Sequence, residues 1–452
     1  MSNNGSINKK LWAKNIDLEE KIERFTVGKD RELDIYLAPY DVLGSIAHIK
    51  MLAARNLLDK EEQLSLHKEL ISIYKDIENG KFEIEEGVED VHSQVELLLT
   101  QRLGDSGKKI HTGRSRNDQV ALDMRLFMRG EIEKISDGVS RLFDLLIRLS
   151  EKYKNVLMPG YTHTQVAMPS SFGLWFSAFA ESLIDDMMQL LTAYKIVNRN
   201  PLGSAAGYGS SFPLDRKMTT ELLGFDDLNY NSIYAQMGRG RSERIVSQAV
   251  ASVAETLGRL ASDVILFLSQ NFSFIAFPDS LTTGSSIMPH KKNPDVFEIL
   301  RAKTNRIKSL PNEIALITTN LLTGYHRDLQ LIKERFLPAL FEMEDCLHVA
   351  EFSMAQIRVR DNILDDEKYQ YLFSVEAVDD LVMEGMSFRD AYKKVAADIG
   401  NGKFERPVNK KYTHEGSIGN LQTENLERSM QELYGQFNFN KIRKAYDGLL
   451  KI

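Results

Sequence analysis

Apolar residues recur with helical spacing over long stretches of this chain, and the alternating patterns typical of strands are sparse. Between residues 117 and 153, leucine, isoleucine, valine and phenylalanine side chains return every three or four positions. That spacing predicts one helix of about ten turns, roughly 55 Å long. The same pattern predicts four more long helices, at about residues 169–198, 241–270, 294–322 and 329–358. Five long helices in succession favour an elongated bundle.

The segments on either side of this bundle carry shorter helical patterns interrupted by breakers such as Pro39, Gly385 and Pro407. We therefore predict an all-α chain in three parts. These are an N-terminal helical domain (1–105), a central long-helix bundle (106–360) and a small C-terminal helical domain (361–452). Pro311 and Pro338 fall inside the last two long helices, where proline removes a hydrogen bond, so we expect a kink or a local break at each.

Composition narrows the class of protein. The 452 residues are 43% hydrophobic and 27% charged, as in ordinary globular proteins, and the formal net charge is −7. A negative balance argues against a general binder of nucleic acid or of anionic membranes. The single cysteine, Cys346, excludes an internal disulfide framework and suits a reducing compartment. The start of the sequence has no apolar signal segment, and we expect a cytoplasmic protein without a membrane span.

The most informative segment is Gly284 to Asp295, with the sequence GSSIMPHKKNPD. It combines two hydroxyls, two ammonium groups and an amide behind a glycine, and it leads into a helix. Asn293 suits the N-cap, Pro294 the first helical position, and Asp295 complements the helix dipole. Such a polar and locally cationic loop suits carboxylates or phosphates. The alternative is an ordinary solvated loop.

Two further polar blocks precede long helices. The first is HTGRSRNDQ at residues 111–119, in which Ser115 or Asn117 can cap the helix and Asp118 lies in its first turn. The second is GYTHTQ at residues 160–165, which contains Thr162 and His163. As isolated features, a basic patch is more often solvated surface, and a lone histidine is more often structural.

Two weaker blocks complete the set. In EDVHSQVE, at residues 89–96, His92 and Glu96 share a helical face. The spacing could hold a metal, but no HExxH arrangement is present, so we predict an element on the substrate side; a solvent-facing pair is the alternative. The second block is YHRDLQLIK, at residues 325–333.

These strings carry a family resemblance. GSSxMPxKxN resembles the signature loop of the fumarase/aspartase superfamily, whose members release fumarate from a succinyl unit. HTGRSRNDQ and GYTHxQ resemble argininosuccinate lyases, and the likeness runs from about residue 25 to about residue 395. The chain departs from the family in places. Leu331-Ile332 replaces an acidic pair in the family's YxxDLQEDK, Gly240 replaces an aspartate, and Thr26 lies where a substrate-binding serine is usual.

The resemblance implies an amidine lyase that splits argininosuccinate reversibly into arginine and fumarate, for arginine biosynthesis, through an aci-carboxylate intermediate. It implies Ser285 as the base, Lys291 as its helper and His163 as the proton donor. It implies substrate contacts from seven further residues: Ser115, Asn117, Thr162, Asn293, Tyr325, Gln330 and Lys333. No metal or organic cofactor is expected, and no nucleic acid or membrane partner.

Helix geometry adds an expectation about assembly. If the first two long helices are antiparallel, their starts lie about 45–55 Å apart, so one subunit cannot join residues 111–117 to residues 162–163. A second, antiparallel subunit can. This agrees with the family, in which a homotetramer shares its active sites between subunits.

Rival functions stay open at this point. Adenylosuccinate lyase shares the SSxMPxKxN loop but does not normally carry HTGRSRNDQ, and its nucleotide would require more phosphate-binding groups. Fumarase and aspartase fit less well for the same reason. A non-catalytic homologue, of the kind recruited as lens crystallins, is disfavoured because Ser285, His163 and Lys291 are all present.

Overall fold

The computed structural model describes residues 20–284, 286–407 and 411–452. Within these residues the chain is mainly helical, which confirms the all-α class, and its strands form four short pairs. The helices are α1 Glu20–Val27, α2 Asp30–Asp34, α3 Ala38–Ala54, α4 Lys60–Glu78, α5 Val91–Leu103, α6 Asp105–Lys108, α7 Arg116–Lys152, α8 Phe172–Val197, α9 Arg216–Leu222, α10 Ser232–Met237, α11 Arg241–Leu268, α12 Asp295–Ile307, α13 Leu310–Ile317, α14 Leu331–Met354, α15 Ser374–Met383, α16 Phe388–Gly400, α17 Thr423–Tyr434 and α18 Phe439–Leu449. The strands are β1 Leu157–Thr162, β2 Gln165–Ser171, β3 Arg199–Asn200, β4 Asp227–Leu228, β5 Ile275–Ala276, β6 Thr283–Gly284, β7 Lys292–Asn293 and β8 Arg358–Val359.

The longest helix, α7, begins where its sequence can replace the missing hydrogen bonds of a first turn. The Ser115 hydroxyl accepts from a backbone amide of that turn, and the Asp118 carboxylate accepts from the Ser115 amide at 2.8 Å. This capping box fixes the direction in which the chain enters the helix. Beyond it, Ile132, Ile135 and Val139 are fully buried at helical spacing, so α7 forms the spine of the main core.

Contacts along α7 define the bundle. Near its end, Ser150 donates to the carbonyl of Gly173 at the start of α8 (2.7 Å). Near its start, Arg125 donates to the carbonyl of Ile196 at the end of α8 (3.1 Å). These two helices are therefore antiparallel. By contrast, α14 runs parallel to α7, with Nε of Arg141 3.0 Å from Oε2 of Glu351.

The two remaining long segments of the bundle are α11 and the broken pair α12–α13. α11 runs antiparallel to α8, since Asp263 near its C-terminal end accepts from the Trp175 indole at the start of α8 (3.0 Å). The fourth predicted helix breaks as expected near Pro311, because α12 ends at Ile307 and α13 begins at Leu310. The fifth does not break, and α14 continues through Pro338.

Predicted helix starts differ from the structure by up to three residues; the fifth long helix, for example, begins at Leu331 rather than at residue 329. The second long helix begins at Phe172 rather than at residue 169, because residues 157–171 form the antiparallel hairpin β1–β2. The fourth begins at Asp295 with Pro294, not Asn293, at the N-cap position. Asn293 instead pairs with Thr283 in the short ladder between β6 and β7.

The C-terminal residues pack in two ways. Helices α15 and α16 enclose a small core of their own around Val378, Ala391 and Val395. Helix α18 instead packs back on the bundle, where the Tyr446 hydroxyl accepts from buried Arg129 on α7 (2.7 Å). The three-part division of the chain stays a prediction. In the described ranges, no helix has both the length and the apolarity needed to cross a membrane.

Candidate active site

A cavity of about 150 Å³ lies at the start of α7. It is where α2, the start of α5, the start of α7 and the segment before α14 meet. Four of the predicted site residues line this cavity: Asn117, Tyr325, Gln330 and Lys333. The remaining lining residues are Asp30, Asp34, Glu89, Asp90, His92, Arg116, Val120, Arg239 and Arg327.

Ser115 and Asn117 are held by the capped helix start. The Ser115 hydroxyl accepts from the Asn117 amide (3.3 Å), and Asn117 lines the cavity as well as an adjoining one that Ser115 also borders. The buried Asp118 carboxylate ties this turn to a second segment by accepting from the amides of Gly203 and Ala205 (3.0 and 2.9 Å). The confirmed cap therefore presents Asn117 on a rigid turn.

Lys333 is 4% exposed and makes two short ion pairs. Its ammonium lies 2.6 Å from Oδ1 of Asp34 and 2.8 Å from Oδ1 of Asp30. Leu331-Ile332 replaces the family's acidic pair next to Lys333 in the sequence, and α2 supplies its acidic partners instead. Burial, opposed by Lys333, raises the pKa of Asp30 to about 6.

Gln330 connects the end of α1 to the segment that lines the cavity. Its amide nitrogen donates to the carbonyls of Thr26 and Val27 (both 2.9 Å), and its amide oxygen accepts from Nε of Arg327 (3.1 Å). The Thr26 hydroxyl donates to the carbonyl of Ile22 within α1. Gln330 therefore fixes the end of α1 over the cavity, and both of its amide protons are used within the chain.

Behind the cavity lies a buried charged cluster. Nδ1 of His92 is 2.8 Å from Oδ1 of Asp41 and 3.5 Å from Oδ2 of Asp123. Burial lowers the pKa of His92, but the carboxylates of Asp41 and Asp123 outweigh it and raise that pKa to about 9. The solvent-facing alternative for His92 is wrong, since the residue is 7% exposed. Arg114 adds a second cation beside these carboxylates, but burial and the neighbouring Asp41 still raise the pKa of Asp123 well above its usual range.

Thr162 and His163 lie at the other end of α7, on the hairpin turn between β1 and β2. Thr162 pairs with Gln165, which leaves His163 and Thr164 as a two-residue turn with φ of 53° and 59°. Side chains other than glycine and asparagine are strained in this conformation, and such strain often accompanies function. Tyr161 anchors the hairpin on Phe272 with ring centroids 5.7 Å apart, and His163 remains exposed.

Lys291 lies on the loop between β6 and β7, Asn293 lies in β7, and Ser285 lies outside the described residues. The Lys292 ammonium is held by Asp279, whereas the Lys291 ammonium makes no ion pair or hydrogen bond with any described residue. The Asn293 amide lies 3.5 Å from the Thr283 hydroxyl. This loop follows the end of α11 and precedes α12, so Lys291 is exposed at the same end of the bundle as the hairpin.

The predicted residues therefore form two groups. Ser115, Asn117, Tyr325, Gln330 and Lys333 meet at the start of α7. Thr162, His163, Lys291 and Asn293 lie towards its far end, and the 37 residues of α7 separate the groups by about 55 Å.

Several cavity residues escaped sequence reasoning. Asp30 and Asp34 belong to a short helix without a recognisable motif. Arg239 was noted only for the glycine that follows it, yet it is 8% exposed and lines the cavity.

Comparison with known proteins decides the family. A family model described as "Lyase" matches residues 13–308. Argininosuccinate lyase of Bacteroides fragilis is 61% identical over 98% of this chain and 99% of its own length. The chain belongs to the argininosuccinate lyase family. A more distant relative, the argininosuccinate lyase of Thermotoga neapolitana, is 38% identical over 88% of the chain and 100% of its own length. The predicted family, lyase class and argininosuccinate lyase function are thereby confirmed.

Solved structures support the fold. EDDS lyase in complex with formate superposes with a TM-score of 0.77 over 96% of this chain and 95% of its own, at 21% identity. A class II fumarase from Schistosoma mansoni gives 0.68 over 84% and 89%, at 17% identity. A structure of an EDDS lyase variant contains bound fumarate. The family supports small molecules as ligands, whereas the solved structures, at these identities, show the fold alone.

Proposed function

We propose that this chain catalyses the reversible β-elimination of argininosuccinate to arginine and fumarate, in the cytoplasm, as a homotetramer whose active sites are shared between subunits. The observation that carries the proposal is the cavity at the start of α7. It gathers Asn117, Tyr325 and Lys333 from distant segments and holds charges of both signs. Argininosuccinate carries carboxylates, an ammonium and a guanidinium, and a cavity of balanced charge suits such a molecule.

In the proposed reaction, Ser285 removes a proton from the carbon beside a succinyl carboxylate. The electron pair moves onto that carboxylate as an aci-carboxylate dianion, which Lys291 and Asn293 stabilise. The Lys291 ammonium supports this role, because it has no ion pair or hydrogen bond with a described residue and is therefore available to developing charge. A serine hydroxyl is a weak base, so the same ammonium and the loop amides would stabilise its alkoxide.

Collapse of the intermediate then breaks the bond between carbon and the guanidino nitrogen. His163 donates a proton to the departing nitrogen, which yields arginine and fumarate. Thr162, Ser115 and Asn117 hold the substrate carboxylates, and Tyr325, Gln330 and Lys333 form the wall beside the arginine half. These steps need only side chains, so we propose no metal or organic cofactor.

Shared sites follow from the two groups of residues. One subunit holds them about 55 Å apart, whereas the substrate is a single small molecule. A second copy lying antiparallel to the first would bring a hairpin and a loop to each cavity. Closed symmetric assembly is the usual form of such contacts, and four copies with dihedral symmetry give every site the same surroundings.

The experiment that tests the activity is an absorbance assay for fumarate. We expect rapid release of fumarate from argininosuccinate and little from adenylosuccinate. The reverse preference would contradict the proposal, as would release from neither. Sedimentation of the same preparation tests the assembly, and a fully active monomer would contradict the shared site.

A further inference from the structure

Tyr161 stands out on the hairpin that carries His163. At the tip of this hairpin, residues 161–166, the Tyr161 side chain is half-buried and the other five side chains are exposed. Strands β1 and β2 pair only with each other within the described part of the chain, and a two-stranded hairpin is marginally stable by itself. The position of the tip, and therefore of His163, depends on the residues that hold Tyr161.

Two aromatic residues from different segments hold Tyr161. Its ring packs at 71° against the ring of Phe272, and its hydroxyl oxygen lies 3.3 Å from that of Tyr369. Phe274 joins these two supports, because its ring centroid lies 5.3 Å from that of Phe272 and 6.4 Å from that of Tyr369. Four rings and one hydrogen bond between hydroxyls therefore form a closed set of contacts.

Tyr369 is well placed to act as a fixed support. It lies in the 3₁₀ turn Glu367–Tyr369, beyond the helices of the bundle, and is only 2% exposed. The preceding turn, Ile363–Asp365, packs against β1. Burial raises the pKa of the Tyr161 and Tyr369 hydroxyls, so both keep the protons that a shared hydrogen bond requires. The C-terminal part of the chain thereby reaches the hairpin below its tip.

We infer that Tyr369 is a positioning residue for His163, and that it acts by holding Tyr161 and with it the hairpin tip. The inference rests on the proposed function, in which His163 donates a proton to the departing nitrogen. The positive φ angles of His163 and Thr164 make the turn strained, and such a turn persists only where the surrounding structure holds it. Because proton transfer requires hydrogen-bond distance, a tip displaced by about 1 Å would lower turnover.

Removal of single hydroxyl groups tests this role. Tyr369→Phe keeps the ring contacts and should lower kcat for argininosuccinate about 5- to 50-fold. Tyr161→Phe should have a similar effect. The variant with both changes should be no slower than either single variant, because the two changes remove the same hydrogen bond. The matched control is Tyr371→Phe, which removes a hydroxyl from an exposed tyrosine two residues away and should leave kcat unchanged.

The His163→Asn background separates positioning from a structural role. There, Tyr369→Phe should lower kcat by less than about twofold further, since no proton donor remains to be positioned. A hydroxyl needed only for folding or assembly would lower kcat by the same factor in both backgrounds, and that result would overturn the inference. Unchanged kcat in both single Tyr→Phe variants would also overturn it.

Thermal unfolding shows whether each variant is folded, and Tyr161→Phe remains informative if Tyr369→Phe is not folded. Unfolding of both would assign the two hydroxyls to the fold and would likewise contradict the inference. Release of fumarate by the wild type, and its loss in His163→Asn alone, test the proposed function separately.

Discussion

The two ends of α7 differ in how far their polar groups are already satisfied. At the start, Lys333 is buried between two carboxylates and Gln330 is bound to backbone carbonyls. At the far end, His163 sits exposed on a strained turn and the Lys291 ammonium is free of partners in the described residues. At the start of α7 these polar side chains are bound within the chain, whereas at the far end they are exposed and available to another molecule. The proposed sharing of the active site between subunits would account for this difference.

The largest expected effect concerns the exposed end. His163→Asn should lower turnover of argininosuccinate about 100- to 10,000-fold, because the leaving nitrogen loses its proton donor. Ser285→Ala should abolish turnover. Both variants should unfold at the wild-type temperature, since neither change touches a described core residue. Fumarate assays and thermal unfolding check both expectations, and a loss under about tenfold in His163→Asn would favour a structural role for this residue.

Two lysines, one buried at the start of α7 and one exposed at its far end, test whether the two ends differ in their contribution to stability. Lys333→Met leaves Asp30 and Asp34 buried without a cation and should lower the free energy of unfolding by about 3–5 kcal/mol. Lys291→Met removes an exposed ammonium and should change that free energy by less than about 0.5 kcal/mol. Its turnover should nevertheless fall about 100- to 1,000-fold. Urea unfolding and steady-state kinetics separate these outcomes, and equal stability of the two variants would remove the contrast between the ends.

His92 predicts a dependence of stability on pH. Its folded pKa of about 9 exceeds the unfolded value of about 6.5, so the folded state holds the extra proton. This contribution is complete below about pH 6.5 and is lost as the pH rises through 9, with an upper limit of roughly 3 kcal/mol. Urea unfolding of the wild type should show that decline, and His92→Gln should flatten it. A decline of the same size in both proteins would assign it to other groups.

The smallest effect is expected at the helix cap. Ser115→Ala removes the hydroxyl that accepts from the first turn of α7 and should cost about 1 kcal/mol of stability. Ser115→Asp, which preserves a cap, should restore the stability but not the substrate contact. Unfolding midpoints and the KM for argininosuccinate distinguish the two losses. Unchanged stability in Ser115→Ala would mean that Asp118 alone fixes this turn.

Features set by residues close together in the sequence could be predicted, whereas features set by residues far apart in the sequence could not. The period of apolar residues gave the long helices, and α7 was placed to within one residue at each end because its cap and its core face are local signals. The hairpin carrying His163 was missed, since Pro169 resembled a helix start and strand pairing needs both strands. The partners of Lys333 were missed because Asp30 and Asp34 lie about 300 residues away.

Contacts between residues distant in sequence also limited what could be predicted of the candidate site. Its motifs were recognisable in the sequence, and their division into two groups was expected only on the assumption that the first two long helices are antiparallel, as the structure shows them to be. Arg239 was passed over because the residue after it departs from the family pattern. Its burial on the wall of the cavity, which identifies it, is a property of the folded chain.

The shared active site is tested most directly by mixing subunits. Asn117→Leu changes the cavity end, and His163→Asn changes the far end. Each alone should be nearly inactive. Dissociating and reassembling the two together should restore turnover, because some sites then combine an intact cavity with an intact hairpin. Mixing Asn117→Leu with Lys333→Gln, two changes within one cavity, should restore none. If the first mixture stays as inactive as its components while forming mixed tetramers, the active site is not shared between subunits.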